Sequence, residues 1–246
     1  RLNILPALGN GSNVLVRDKG IRGIVIKLGN MLRHFYEAED MLVFGSGYSL
    51  ALASYKAMEC EKTGMEFAVG IPGSIGGAVY MNAGAYDGEM QNIVNCVKVM
   101  DLQGNERVLT AEELNFGYRK TSLQNSGLIV TEVTLKMPSG NKDEIKSKMD
   151  DFSHRRISKQ PLEMPSAGSM FKRPPGYFAG TLIDQAGLKG YTVGGAQIST
   201  KHAGFVVNVG GATAADVLQL IKDVQTKIKA GVGVELQPEV LVIGEE

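Results

Sequence analysis

The sequence predicts an α+β fold in two lobes, on three observations: apolar strand-like runs that do not alternate strictly with helices, four stretches of helical composition, and a proline-marked break between the lobes. Strict alternation would have indicated a doubly wound parallel sheet. Residues Ile4 to Leu8 and Val14 to Val16 are short apolar runs on either side of Gly9-Asn10-Gly11-Ser12-Asn13, read as strand, tight loop, strand. Ile24 to Leu28 and Met41 to Phe44 continue the β character. From Ser49 to Lys62 the chain is rich in Ala, Leu, Met, Lys and Glu without Pro or Gly, a helix with Ser49 as N-cap that stops at Thr63-Gly64.

Strand-like runs at Val94 to Asp101 and Leu128 to Met137 follow, with a hairpin signal at Gln103-Gly104-Asn105. Lys142 to Ser158 is charged and helical in character, and Pro161 and Pro165 just beyond it mark the boundary between the lobes. In the second lobe a short helix near Phe178 to Ala186 precedes a strand around Val206, Val207 and Val209. Val217, Leu220, Ile221, Val224 and Ile228 then fall at helical spacing within Ala214 to Ile228, and Val240 to Ile243 closes as a strand. Tyr36 to Asp40 and Lys229 to Gly233 are expected to be loops.

Composition narrows the function. A formal charge of zero on 246 residues leaves no basic excess for nucleic acid or an anionic membrane, so a bound anion must be gripped locally. Cys60 and Cys96 form neither a metal-finger spacing nor a disulfide framework, which suits a reducing cytoplasm. No apolar run reaches the length of a membrane span, and an opening on Arg1 suggests a trimmed N-terminus. His34, His154 and His202 are scattered, so no metal is expected.

Glycine is the outlier, 31 residues that fall in clusters. By itself GNGSN reads first as a plain hairpin turn, although Gly9 and Gly11 would also let main-chain N–H groups converge on a phosphate. The second cluster, Gly70-Ile71-Pro72-Gly73-Ser74-Ile75-Gly76-Gly77-Ala78, is more specific, because four glycines and a proline in one loop carry an entropic cost that an ordinary connection avoids. Neither cluster has the lysine of a P-loop or the spacing of a Rossmann turn.

GNGSNVLV followed by GIPGSIGGAVYMNAGAY resembles the FAD-binding domain of vanillyl-alcohol-oxidase-type flavoproteins. With FGYRKTS at 116–122, PSAGSMFKRP at 165–174 and LQPEVLVIG at 236–244, the series is similar to the UDP-N-acetylenolpyruvoylglucosamine reductases of bacterial cell-wall synthesis. The family has a further β-and-α segment ahead of GNGSN, so the chain looks like a truncated copy. The resemblance implies a two-lobed FAD-binding domain over residues 1–160, a smaller α+β substrate-binding domain over 161–238, and a last strand, 239–246, returning to the first lobe. It also implies a cytoplasmic monomer in which NADPH reduces FAD and the flavin reduces a UDP-sugar enolpyruvate.

By motif match, Ser169 takes the role of proton donor, Arg119 pairs with the substrate carboxylate, and Glu239 shares a proton with that carboxylate or polarises it. Read without the resemblance, these would be a turn cap, a solvated arginine and a strand-edge acid. Flavin contacts are expected from Gly9, Asn10, Gly11, Ser12 and Asn13, from Gly70, Ile71, Pro72, Gly73, Ser74, Gly76, Gly77 and Ala78, and from Asn82 and Gly84. Substrate contacts are expected from Tyr118, Arg173, Lys201 and His202, with a hydrogen-bonded core histidine as the alternative for His202.

About thirty residues without a tyrosine separate Met137 from Ser169, which implies the family's shorter class, lacking a tyrosine-bearing lid. Neither glycine cluster contains a His or Cys to tether FAD, so the flavin is expected to be non-covalent. An FAD-dependent oxidase acting on a hydroxy acid or alcohol would explain both clusters but not the Ser169, Arg119 and Glu239 set. A non-catalytic nucleotide-binding module would leave that set unexplained as well.

Overall fold

The computed structural model describes residues 4–246. In chain order the first part comprises β1 (Ile4–Leu8), β2 (Val14–Val16), β3 (Ile24–Lys27), β4 (Phe35–Ala38), β5 (Met41–Gly45), α1 (Leu50–Glu59) and α2 (Ile75–Tyr80). Then come β6 (Gly84–Ala85), β7 (Gly88–Glu89), β8 (Val94–Met100), β9 (Glu106–Thr110), β10 (Ile129–Lys136) and α3 (Lys142–Lys159). The remainder comprises β11 (Ser166–Ser169), α4 (Ala179–Gln185), β12 (Thr192–Val193), β13 (Ala196–Ile198), β14 (Phe205–Asn208), α5 (Ala214–Val232) and β15 (Leu241–Ile243). The fold is α+β, and its contacts divide it into two units: the residues up to Gly11 with Gly23–Arg155, and Ser12–Arg22 with Arg156–Glu246.

The first unit is built on a five-stranded antiparallel sheet of order β4-β5-β10-β8-β9. Alternate residues of three central strands, Leu42 and Phe44, Val97 and Val99, Val133 and Leu135, point to one face and are buried there, as a period of two requires. Against them pack Leu50, Ala53 and Ala57 of α1 and Ile75 and Val79 of α2. Ser49 caps α1 by accepting from the Leu52 N–H at 3.4 Å. The helix ends at Glu59, earlier than composition suggested, because the N–H groups of Lys62 and Thr63 bond instead to the carbonyls of Ala57 and Pro138. A separate parallel pair joins β1 to β3.

In the second unit a four-stranded antiparallel sheet, β11-β14-β13-β12, is covered by α4 and α5. Leu220, Ile221, Val224 and Ile228 form the buried stripe of α5. Thr213 and Asp216 make a capping box at its start, and the Asp18 carboxylate accepts from the N–H groups of Ala214 and Ala215 at 2.7 and 2.9 Å. β15 pairs in parallel with β2, Leu241 opposite Val14 and Ile243 opposite Val16.

Three further expectations change. The runs flanking GNGSN do not form a hairpin: β1 pairs with β3 and β2 with β15, both in parallel. Residues Tyr36 to Ala38 belong to β4 rather than a loop, since cross-strand partners on β5 supply what local propensity does not. Lys229 to Val232 extends α5 by a further turn, and the loop begins at Gly233, whose left-handed φ of 73° forms the C-cap.

Leu220→Ala is expected to destabilise the protein by about 2–5 kcal/mol, because it empties a fully buried site. Leu52→Ala, at a position of α1 that is 59% exposed, should stay within about 0.5 kcal/mol of wild type when both variants are unfolded in urea.

Candidate active site

Within the first unit, main-chain approach too close for side chains brings the two glycine-rich segments together. A Cβ on Gly9 would lie 2.2 Å from Ser74 Oγ, and one on Gly76 would lie 2.7 Å from Ser46 Cβ and 3.0 Å from its carbonyl. Ser74 is occupied as the N-cap of α2, accepting from the Gly77 N–H at 3.3 Å. That helix arises inside a run read as loop. Gly76 and Gly77 are poor helix formers, but Gly76 sits where only a hydrogen fits against the Ser46 backbone. The Gly76 N–H donates to the Ser46 carbonyl at 2.9 Å, and Ile75 to that of Tyr48 at 2.9 Å. Gly11 and Gly70 take left-handed φ values of 69° and 72°. Ile71 closes a turn on the Ala68 carbonyl, with Pro72 exposed, Gly73 accepting from the Leu50 N–H and Ala78 buried beneath.

Ser46 carries no motif or spacing by which it could be selected from the sequence. It is fully buried, yet its hydroxyl has no hydrogen-bonding partner among the described residues. A buried hydroxyl without a partner costs about 1–3 kcal/mol, a cost that a polar ligand at the neighbouring glycine segment would remove. The small, uncharged cradle and this donor fit a bound dinucleotide.

Beyond α2, Asn82 is fully buried with φ 42°, and it leads into the β6–β7 hairpin that contains Gly84. Arg119 is partly buried, and its Nη1 and Nη2 donate to the carbonyls of Asn82 at 3.2 Å and Gly84 at 2.9 Å. Exposed Tyr118 lies with its ring centre 5.0 Å from the Arg119 guanidinium carbon.

In the second unit, Ser169 stands exposed at the end of β11. A bulge in the pairing with β14 and the left-handed Gly168, φ 82°, re-aim the strand just before it. The Ser169 hydroxyl makes a long 3.4 Å contact with the Phe171 carbonyl. Glu239 is brought beside this strand, because its N–H donates to the Met170 carbonyl at 2.9 Å. Asn13 holds the same segment twice, its side chain donating to the Glu239 carbonyl at 3.2 Å and its carbonyl accepting from the Leu241 N–H at 3.0 Å. Ser169, Glu239, Asn13 and Ser12 thus belong to the second unit, and Arg119 with Gly9, Asn10 and Gly11 to the first.

The remaining candidates lie in the second unit. Arg173 is exposed with its guanidinium over the Phe178 ring at 4.0 Å. Lys201 bonds to the Ile157 carbonyl at 2.9 Å and faces Glu163 at 3.7 Å. His202 is partly buried against Phe205, and its Nδ1 accepts from the Gly204 N–H at 3.0 Å. Burial, the largest influence, holds its pKa below the ordinary 6.5. Among the described residues no cluster of three or more His, Cys, Asp or Glu could hold a metal, and no helix is long and apolar enough to cross a membrane.

Comparison with known proteins meets this geometry at both units. The model for the C-terminal domain of UDP-N-acetylenolpyruvoylglucosamine reductase matches residues 160–243, and one for an FAD binding domain matches 4–110. The UDP-N-acetylenolpyruvoylglucosamine reductase of Clostridium perfringens (strain SM101 / Type A) is 53% identical over 97% of this chain and 78% of its own length. The chain belongs to the UDP-N-acetylenolpyruvoylglucosamine reductase family. The Geobacillus thermodenitrificans member is 51% identical over the same shares of both chains. Among solved structures, the Thermus caldophilus reductase of this family superposes with a TM-score of 0.86 at 40% identity, covering 98% of this chain and 86% of that one.

Two outcomes test this description. Gly9→Ala, which pushes on the α2 cap, should lower the visible flavin absorbance per mole of purified protein; full occupancy would show that the close approach is dispensable. For His202 the fold favours the neutral ring. As pH falls below about 6.5 the unfolded chain takes up the proton first, so stability declines until the folded ring also protonates. In His202→Gln that acid loss of stability, followed by thermal unfolding across pH, should be smaller.

Proposed function

We propose that the protein catalyses the NADPH-dependent reduction of UDP-N-acetylglucosamine enolpyruvate to UDP-N-acetylmuramate, with non-covalent FAD as its prosthetic group. The observation that carries this reading is identity of about half the residues with named reductases along nearly the whole chain. The glycine cradle and the buried Ser46 hydroxyl support the cofactor. FAD when bound supplies a two-electron carrier that accepts hydride from NADPH and delivers it to the methylene carbon of the enolpyruvyl group. Gly9 to Asn13, Gly70 to Ala78, Asn82 and Gly84 are the residues assigned to hold it.

The chain's own residues manage the charge and the proton. Hydride at the methylene carbon leaves negative charge on the carbon next to the carboxylate and on the carboxylate itself. Arg119, whose guanidinium two main-chain carbonyls orient, brings its positive charge to that carboxylate. Ser169 donates its hydroxyl proton to the carbon: a weak acid, adequate toward a carbanionic centre once water is excluded. Its exposed position at a bulged strand end, with a long bond to the Phe171 carbonyl, lets the hydroxyl turn toward a ligand. Glu239, on the neighbouring segment, shares a proton with the substrate carboxylate or polarises it.

Tyr118, Arg173, Lys201 and His202 are assigned to the nucleotide sugar. His202 would act as a donor through Nε2, because Nδ1 already accepts from Gly204. Residues 1–160 are read as the FAD-binding domain, 161–238 as the substrate-binding domain and 239–246 as a strand completing the first. The protein is read as a cytoplasmic monomer of the shorter, lidless class.

The decisive experiment separates the half-reactions of Ser169→Ala. NADPH should still bleach the flavin at a near-normal rate, while reduction of the enolpyruvyl sugar falls by about 10²–10⁴ or more. Equal loss in both half-reactions would remove the proton-donor role. An oxidase acting on a hydroxy acid would instead show little bleaching by NADPH and fast reoxidation by oxygen.

A further inference from the structure

Arg119 sits in a left-handed conformation, φ 55°, at the tip of a tight turn that Gly117 and Lys120 close with reciprocal backbone bonds of 2.9 and 3.1 Å. A residue with a side chain adopts that conformation only where its surroundings impose it. Two amide side chains impose it here. Gln124 Nε2 donates to Arg119's own carbonyl at 3.1 Å and to the carbonyl of Tyr80, the last residue of α2, at 3.2 Å. Asn82 Nδ2 donates to the Gly117 carbonyl at 3.0 Å and to Glu89 Oε2 at 3.0 Å.

The orientation of the Asn82 amide is fixed independently. Its Oδ1 accepts from the Gln91 N–H at 3.0 Å, so the nitrogen end has to face Gly117 and Glu89, and both of its protons are committed. The Thr121 hydroxyl adds a third tie, donating to the Tyr80 carbonyl at 2.9 Å. The guanidinium then bonds back to the carbonyls of Asn82 and Gly84, which closes a loop of contacts: Asn82 holds the turn by its side chain and the arginine head by its main chain.

We infer that Gln124 and Asn82 are positioning residues for Arg119, setting the plane and direction of its guanidinium toward the carboxylate of the nucleotide sugar. The inference rests on the role proposed above for Arg119. It gives Gln124 a part that its sequence position does not suggest, and it adds to Asn82, assigned above to the flavin, a task at the arginine.

The test uses the flavin-loaded enzyme. Gln124→Ala should slow reduction of the enolpyruvyl sugar about tenfold, as expected for the loss of one oriented hydrogen bond, with flavin content and the rate of reduction by NADPH unchanged. In calorimetric titrations the variant should bind UDP-N-acetylmuramate, which carries the carboxylate, more weakly, and UDP-N-acetylglucosamine, which lacks it, as wild type does. In an Arg119→Ala background Gln124→Ala should have no further effect, because a residue acting through another cannot be felt once that other is gone. Asn82→Asp, which keeps the shape and the acceptor but loses both donors, should also slow reduction of the enolpyruvyl sugar per mole of bound flavin; Gln124 decides the matter if that variant does not fold or take up flavin.

Equal slowing of both half-reactions by Gln124→Ala, equal weakening for the two nucleotide sugars, or an undiminished effect in the Arg119→Ala background would overturn the inference. Normal turnover by Arg119→Ala alone would remove the arginine's role and this inference with it. Loss of turnover in Arg119→Ala beside a silent Gln124→Ala would overturn the positioning alone.

Discussion

The constraint on which the rest of the first unit depends is the approach of main chain to main chain at positions where no Cβ can stand. Gly9 meets the cap of α2, and Gly76 lies on the backbone of Ser46. These contacts draw the loop after β1, the turn after β5 and the start of α2 into one small, neutral surface. A surface made of backbone suits a large dinucleotide, because N–H and C=O groups are held by the fold and lose little further freedom on binding.

The residues assigned to chemistry share a mode of support. Arg119 is held by carbonyls, Glu239 by its own N–H and by Asn13, and Ser169 by a bulge and a left-handed glycine. In each case main-chain atoms help to fix the position of the functional group. The left-handed φ of Arg119 is a local strain that neighbouring amide groups sustain.

Much of the scaffold could be read from local signals. The α5 stripe, the Ser49 cap and the turn at Gln103-Gly104-Asn105 rest on spacing and on residues with one dominant local preference. The failures came where tertiary partners outweighed that preference: β4 is a strand because β5 pairs with it, and α2 is a helix because its glycines are needed for clearance. GNGSN looked like a hairpin turn because the strands pairing with its two flanks lie far away in sequence, one of them beyond residue 240.

The sequence by itself determined the family and the identity of the residues assigned to the site, because ordered motifs over nearly the whole chain survive in one dimension. Tertiary structure alone decided how those residues are held. The bond from Asn13 to Glu239 spans 226 positions, and that from Asp18 to Ala214 spans 196. The orphaned hydroxyl of Ser46 and the pairing of Gln124 with Arg119's carbonyl are no more visible in the string. A hydrogen bond depends on a few tenths of an ångström between atoms, and chain order says nothing of that distance until the fold closes it.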